Sequence, residues 1–278
     1  MTDKDRVLLA KAIAIPDRVN KLSDAEYSVF SQWGDDGIIQ YLTHHLKLSN
    51  NFFVEFGVEN YHESNTRFLL MNNNWSGLVM DASKKNVEFI QSADYFWKYD
   101  LLALHSFVTV SNIVAILNQY CPTEIGLLHI DIDGMDYWIW NEISGTFRPD
   151  VVILEYNSVF GSDRSVTVPY QEDFNRHKAH YTGLYAGASL PALIQLSNRV
   201  GYAFVGANSA GNNAYFVRKE LLNDAVMEKS IQTDFVSSRF RESRDRKGKL
   251  TYLSGDQRKD AIRGLPVFDT DLEKIIPF

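Results

Sequence analysis

The sequence holds a single cysteine, Cys121, so no disulfide can close within the chain and nothing points to an oxidising compartment. Cys121 precedes Pro122 at the end of a predicted helix and reads as a structural thiol. Positive charge is also scarce: 28 Lys and Arg against 35 Asp and Glu leave a net charge of -7, which argues against nonspecific binding of nucleic acid by the whole chain. Long apolar runs are missing. The stretch MTDKDRVLLAKAIAIPDR is interrupted by Lys11, carries no cleavage-site pattern and is too short to span a bilayer, so a cytoplasmic soluble protein is the expectation. There are no internal repeats and no low-complexity tracts.

The 278 residues are enough to bury a full core, as one domain with an elaboration better than as two equal domains. Apolar content of 45% and charged content of 23% are those of a soluble globular chain. The pattern divides into a helical lead-in over 1–30 with a break at Pro16, a main unit over 31–218, and a mixed helical extension over 219–278. Within the main unit, short apolar strands alternate with helices, which predicts an α/β fold with a mostly parallel sheet and helices on both faces. SQWGDDGIIQYLTHHL reads as a helix with Ile38, Ile39, Leu42 and Leu46 on one face and with Asp35 and Asp36 favouring its dipole in the first turn. Phe52 to Phe56 and the segment WSGLVMDAS read as strands, followed by a helix over Asn86 to Ser92 and a less distinct strand near Phe107 to Val110. Ser111 is a candidate N-cap for the helix NIVAILNQY, and Ser189 for SLPALIQLSNRVG. YAFVGANSAGNNAYFVR has the form of two strands joined by a Gly/Asn turn. Between DVVILEYN and SLPALIQLSNRVG lies a long polar, aromatic-rich loop, 158–187, of the size of a lid or binding loop.

Chemistry concentrates where strands end. LLHIDIDGMDYWIWNEI carries Asp131, Asp133 and Asp136 just past an apolar strand, and VVILEYN delivers Glu155 and Asn157 to the same predicted edge. In open α/β sheets that edge is where ligands bind. Two readings fit Asp131 and Asp133: catalytic or metal-binding acids, or caps of the next helix paired with Arg or Lys. Asp136, at the helix start, reads as structural. His129 sits within an apolar strand, where a satisfied core histidine and a base are both admissible. Gly57 stands in a turn after the first strand, and Asp81 ends the second about 20 residues later, a position suited to ribose hydroxyls. A dinucleotide fingerprint is absent, since only one glycine occupies that turn. Trp138 and Trp140 read as core. Tyr170, Tyr181 and Tyr185 fit either stacking on a sugar face or packing within the loop. His177 and His180 are loop histidines able to serve as a base or to contact an acceptor, and the basic segment 239–249 reads first as a solvated face and second as a phosphate-attracting patch.

Five pieces in this order, SQWGDDGI, FFVEFGVENYHESNT, GLVMDAS, LLHIDIDGMDYWIW and DVVILEYN, resemble the class I S-adenosylmethionine-dependent methyltransferases of the FkbM-like branch, over roughly residues 28–218. The resemblance implies a Rossmann-like seven-stranded sheet ending in a C-terminal antiparallel hairpin. It implies S-adenosylmethionine as cofactor, with Glu55 and Gly57 at the cofactor turn, Asp81 on the ribose and Asp131 near the transferred methyl. Catalytic roles fall to Asp131, Asp133 and His180. By analogy with related macrolide-sugar methyltransferases, Asp131, Glu155 and Asn157 would hold Mg²⁺ or another divalent cation, with Asn157 a departure from their all-acid pattern. The first motif is reduced to FGVEN, and His129 stands where the family often has Lys or Arg. The implied activity is O-methylation of a sugar or other polyhydroxylated small molecule, possible phosphate or nucleotide linkage included. Expected partners are that small-molecule acceptor, no nucleic acid and no membrane span, with a homo-oligomer left open. A metal-dependent hydrolase or sugar-modifying enzyme, or a noncatalytic binding protein on the same scaffold, are the rivals.

Overall fold

A computed structural model describes residues 1–239 and 242–278. Helix α1 (Asp3–Ala10) is followed, beyond Pro16, by a 3-10 turn at Leu22–Ala25 and by α2 (Asp35–His45). Then come β1 (Phe52–Phe56), α3 (Arg67–Asn73), β2 (Ser76–Asp81), α4 (Lys84–Ser92), β3 (Leu101–His105), α5 (Ile113–Tyr120), β4 (Leu127–Ile130), α6 (Asp136–Ser144) and β5 (Val151–Glu155). The long loop contributes β6 (Val166–Thr167) and α7 (Arg176–Ala179). The chain continues through α8 (Leu190–Arg199), β7 (Tyr202–Ala207), β8 (Asn213–Arg218), α9 (Ile231–Asp234), α10 (Asp256–Ile262), β9 (Pro266–Asp269) and β10 (Lys274–Pro277). Among these described residues no helix is long and apolar enough to cross a membrane.

Seven strands form one sheet in the order β3-β2-β1-β4-β5-β8-β7, with β8 antiparallel to both of its neighbours and every other pairing parallel. This is the Rossmann-like sheet with a terminal antiparallel hairpin that the strand–helix alternation and the family resemblance imply. The period-2 alternation of strand side chains divides the core in two. Val54, Leu78, Leu128, Val152 and Phe216 face α5, α6 and α8 through Leu117, Trp140, Ile143 and Leu193. Phe53, Val79, Leu127, Ile153 and Tyr215 face α2, α3 and α4 through Ile38, Leu42, Leu69 and Ile90. Each fully buried side chain of this kind contributes about 1.5–3 kcal/mol. The sheet is thus held from both sides, and what its strand ends carry is held with it.

Several expectations shift. The third strand lies at Leu101–His105 and not near Phe107 to Val110, because LLALH is an edge strand half turned to solvent and lacks a continuous apolar signal. The N-cap position of α5 falls on Asn112, which makes no side-chain capping bond, while Ser111 is bonded to Thr109 and Glu172. Ser189 caps α8 as read, accepting from Ala192 N. The extension is not merely helical: β9 and β10 pair with each other, and β9 pairs with β6 of the long loop in a separate three-stranded sheet. A two-residue strand whose partner lies about a hundred residues away leaves no local pattern to read.

Candidate functional site

The strand order reverses at β1, which has β2 and β3 on one side and β4 and β5 on the other. Such a switch point opens a crevice at the C-terminal ends of the strands, and here a cavity of about 750 Å³ lies there. Glu55 and Gly57 reach it from β1, Asp81 from β2, His129 and Asp131 from β4, and Glu155 and Asn157 from β5.

Gly57 has a φ of 72°, and a Cβ at this position would lie 1.6 Å from the Asp131 carbonyl oxygen. Only glycine lets the β1 turn and the end of β4 come this close. Two residues before Gly57, Glu55 is buried and its carboxylate accepts from Ser64 Oγ (2.6 Å), Asn65 N (3.0 Å), Thr66 N (3.2 Å), Thr66 Oγ1 and His129 Nδ1 (2.9 Å). Burial alone would raise its pKa, but the hydrogen bond and charge of His129, with the Ser64 and Thr66 hydroxyls, outweigh that and hold it below the usual range. His129 behaves reciprocally: burial draws its pKa down, while Glu55 and then Asp131 more than restore it, so it ends raised. His129 is therefore a satisfied buried histidine that also lines the cavity, with Asn65 Nδ2 3.3 Å from its Nε2. At the end of β2, Asp81 Oδ1 accepts from Ser83 N (2.8 Å) and Asn86 Nδ2 (3.0 Å), whereas Oδ2 takes no hydrogen bond from any described residue.

The β4 and β5 ends are different in kind. The Asp131 carboxylate accepts no hydrogen bond from the described residues, and burial, with added repulsion from Asp133 and Glu55, pushes its pKa up to about 6 despite attraction by His129. Glu155 likewise has no hydrogen bond or ion pair among them, and burial, then Asp131, Asp136 and Asp133, drive its pKa well above the carboxylate range. Asp133 is exposed, at a φ of 57°, and pairs with Arg176 at 2.7 Å. Asp136 is structural: Oδ1 accepts from Ile132 N and Oδ2 from Gly134 N, both at 3.1 Å, which closes the DIDGM loop onto the start of α6. Burial and the Asp131 charge lift its pKa to about 7.

Asn157 does not complete a ligand set. Its Nδ2 donates to the carbonyls of Leu184 and Ala186, both at 2.8 Å, and its Oδ1 accepts from Val159 N at 3.0 Å, so the carboxamide ties the long loop to the end of β5. Among the described residues no group of three His, Cys, Asp or Glu side chains is arranged to hold a metal. Of the expected trio, Asp131 and Glu155 accept no hydrogen bond from the described residues, whereas the Asn157 carboxamide is engaged by the loop. His180 does not line the cavity; it bonds Thr182 Oγ1 at 2.8 Å and packs on Tyr181, while its exposed neighbour His177 lines the cavity instead. None of Tyr170, Tyr181 and Tyr185 lines this cavity. Tyr170 packs on Trp138, and Tyr185 donates to the Pro266 carbonyl.

Sequence reasoning missed three walls. Asp35, taken as a helix-dipole residue, is buried at the cavity and accepts from Asn213 Nδ2 (2.9 Å), Asn208 Nδ2 (3.2 Å) and the Tyr215 hydroxyl. Arg176, from α7, donates to Asp133 and to the Gly183 carbonyl. Arg258, from α10, is buried against the cavity and donates to Ser237 Oγ at 3.2 Å. A buried polar side chain on a helix near a chain's far end has no local signature.

No family model and no curated protein matches this chain. Solved structures give loose likenesses. An O-methyltransferase from Bacillus cereus in complex with SAH is 11% identical, with a TM-score of 0.45 over 78% of this chain and 90% of that one. An S-adenosylmethionine-dependent methyltransferase from Clostridium acetobutylicum ATCC 824 is 9% identical, with a TM-score of 0.42 over 76% and 94%. A putative O-methyltransferase from Klebsiella pneumoniae is 13% identical, with a TM-score of 0.40 over 77% and 86%.

Proposed function

We propose that the chain is an S-adenosylmethionine-dependent O-methyltransferase of FkbM-like type, acting on a hydroxyl of a sugar-like, polyhydroxylated small molecule. The observation that carries this reading is the division of one switch-point cavity between Asp81, whose Oδ2 is left free of the described residues, and Asp131 and Glu155, which have no hydrogen-bond partners among them. The residues fit the cofactor. Asp81 is oriented through Oδ1 and offers Oδ2 to ribose hydroxyls as a charge-assisted acceptor. The close approach of Gly57 to Asp131 leaves no side chain at the turn where the cofactor would pass. When bound, S-adenosylmethionine supplies an electrophilic methyl group on sulfur.

Asp131, with a pKa of about 6, is ionised at neutral pH yet basic enough to accept a proton from an acceptor hydroxyl. Glu155 is held toward its neutral form and is suited to donate a hydrogen bond to a neighbouring acceptor oxygen. Arg176 holds Asp133 at the cavity's edge, and Asn157 keeps the loop at 184–186 against β5. The acceptor's proton passes to Asp131 and leaves to solvent with the product. A divalent ion enters this reading only if the acceptor's own oxygens complete a site on Asp131 and Glu155.

Calorimetric titration with S-adenosylhomocysteine tests the proposal. Binding by the wild type and a loss of roughly tenfold or more in Asp81→Ala are expected, the scale of one or two hydrogen bonds to a charge. Full affinity in Asp81→Ala overturns the layout. No binding at all by the wild type favours a hydrolase on this scaffold, and binding without transfer to any acceptor favours a noncatalytic protein.

A further inference from the structure

Beside the main cavity a second, shallower one of about 460 Å³ opens, and the two share His177 as a wall. The remaining lining is Tyr181, Arg244, Asp245, Arg246 and Gly248, from the long loop and the basic segment. Phe240 and Arg241 of that segment lie outside the described residues. Asp245 is occupied in shaping the turn: its Oδ1 accepts from Lys247 N (2.8 Å) and Lys249 N (2.9 Å). Arg244 is partly neutralised by Glu242 at 2.6 Å. Arg246 is exposed and makes no ion pair among the described residues. Its guanidinium lies 5.1 Å from the centroid of the Tyr181 ring, which in turn packs on His180 at 4.3 Å. Stacking on an aromatic face fixes the plane of the guanidinium while leaving its N–H edges free for an anion.

The two cavities differ in what they offer a ligand: the second holds a guanidinium, Arg246, that no carboxylate among the described residues pairs with. The floor of the first carries the carboxyl groups of Asp131 and Glu155, beside which a further negative charge is disfavoured. The second places the exposed Arg246, with Arg244 and the turn-forming Asp245 beside it, on a chain whose net charge is -7. An elongated ligand with an anionic end and a hydroxyl-bearing end has one favoured orientation across such a pair. The geometry points to a phosphate or diphosphate ester on the acceptor, seated against Arg246 in the second cavity, with the hydroxyl-bearing part passing His177 toward Asp131 and Glu155. This rests on the methyltransferase reading only for the role of the floor.

The test is calorimetry on the full chain with inorganic pyrophosphate and, separately, uridine diphosphate. Wild type binds pyrophosphate, and Arg246→Glu weakens it by about tenfold or more, as expected for hydrogen bonds to a charged group. Lys247→Glu makes the same reversal of charge in the same segment outside the cavity, and changes binding by no more than about twofold. Both side chains are exposed, so folding is preserved, which thermal melting checks. An equal loss in Lys247→Glu, an undiminished affinity in Arg246→Glu, or no pyrophosphate binding by wild type overturns the proposal. Tighter uridine diphosphate than pyrophosphate supports it with a nucleoside-linked acceptor; equal affinities support it with a simple phosphate ester. S-adenosylhomocysteine affinity, unchanged in Arg246→Glu, is read in parallel, so a failure of the methyltransferase reading is seen separately from a failure of the anion site.

Discussion

The two halves of the cavity floor carry the same kind of residue and treat it oppositely. On β1, Glu55 takes five hydrogen bonds, one of them from a histidine, and its pKa is lowered despite full burial. On β4 and β5, Asp131 and Glu155 are partly buried without hydrogen bonds from described residues, and their pKa values rise. A saturated carboxylate is scaffold; an unsatisfied one is a cost that folding bears and that a ligand can relieve. The difference separates the residue that shapes the cavity from those exposed to whatever enters it.

The largest expected effect breaks the scaffold side. Glu55→Ala leaves His129 and the donors of residues 64–66 without their acceptor, and a loss of about 3–5 kcal/mol is expected, the cost of removing one partner of a buried pair. Denaturant titration measures it, and a loss below 1 kcal/mol would erase the contrast between the two halves. Next, Trp140→Ala, at a side chain fully buried against Tyr202 of β7 and Ser197 of α8, costs about 3–5 kcal/mol without altering the pH dependence of what remains.

The ligand side responds to charge removal in the other direction. The pKa of Asp131 is raised from 3.8 to about 6, so its contribution to stability is fully present below pH 4 and is lost as pH rises through 6. Asp131→Asn removes that loss and also relieves Glu155 and Asp136, whose pKa values Asp131 raises. At pH 7.5 the variant is expected to be more stable by on the order of 1–2 kcal/mol, with the gain vanishing toward pH 4. A melting series across pH 4–8 reads this directly. Activity, if Asp131 is the base, rises through about pH 6 in the wild type and is lost in the variant, so stability and turnover move oppositely. A smaller change comes from Asn157→Ala, which frees the carbonyls of Leu184 and Ala186 and costs about 1–2 kcal/mol. Increased proteolysis at 184–187 would locate the effect at the tether. Smallest of all, chelation is expected to leave S-adenosylhomocysteine affinity unchanged, since no described trio of ligating side chains assembles.

Much of the fold was legible because its strands are short, buried on both faces and punctuated by helices at regular intervals. FFVEF, GLVMD, LLHI and VVILE fall within or on β1, β2, β4 and β5, and the Gly/Asn-joined hairpin on β7 and β8. LLALH was misplaced because an edge strand needs only one buried face. Asp136 was legible as a helix-start acid since its partners, Ile132 and Gly134, are its neighbours in sequence. Asn157 was not, because its partners come from 27 and 29 residues away. Asp35 looked like a dipole residue, and its bond to Tyr215 spans 180 residues.

By itself the sequence determined the strand–helix alternation, the two core faces and the concentration of acids at one sheet edge, because these depend on period and on nearest neighbours. Only the tertiary structure decided which acids are satisfied. Glu55 and Asp131 are both acids at strand ends facing one cavity, and the contrast between them comes from His129 on the adjacent strand and from the Ser64–Thr66 turn. Hydrogen bonding and desolvation are set by what surrounds a group in space, and that is assembled from parts of the chain that local pattern does not connect.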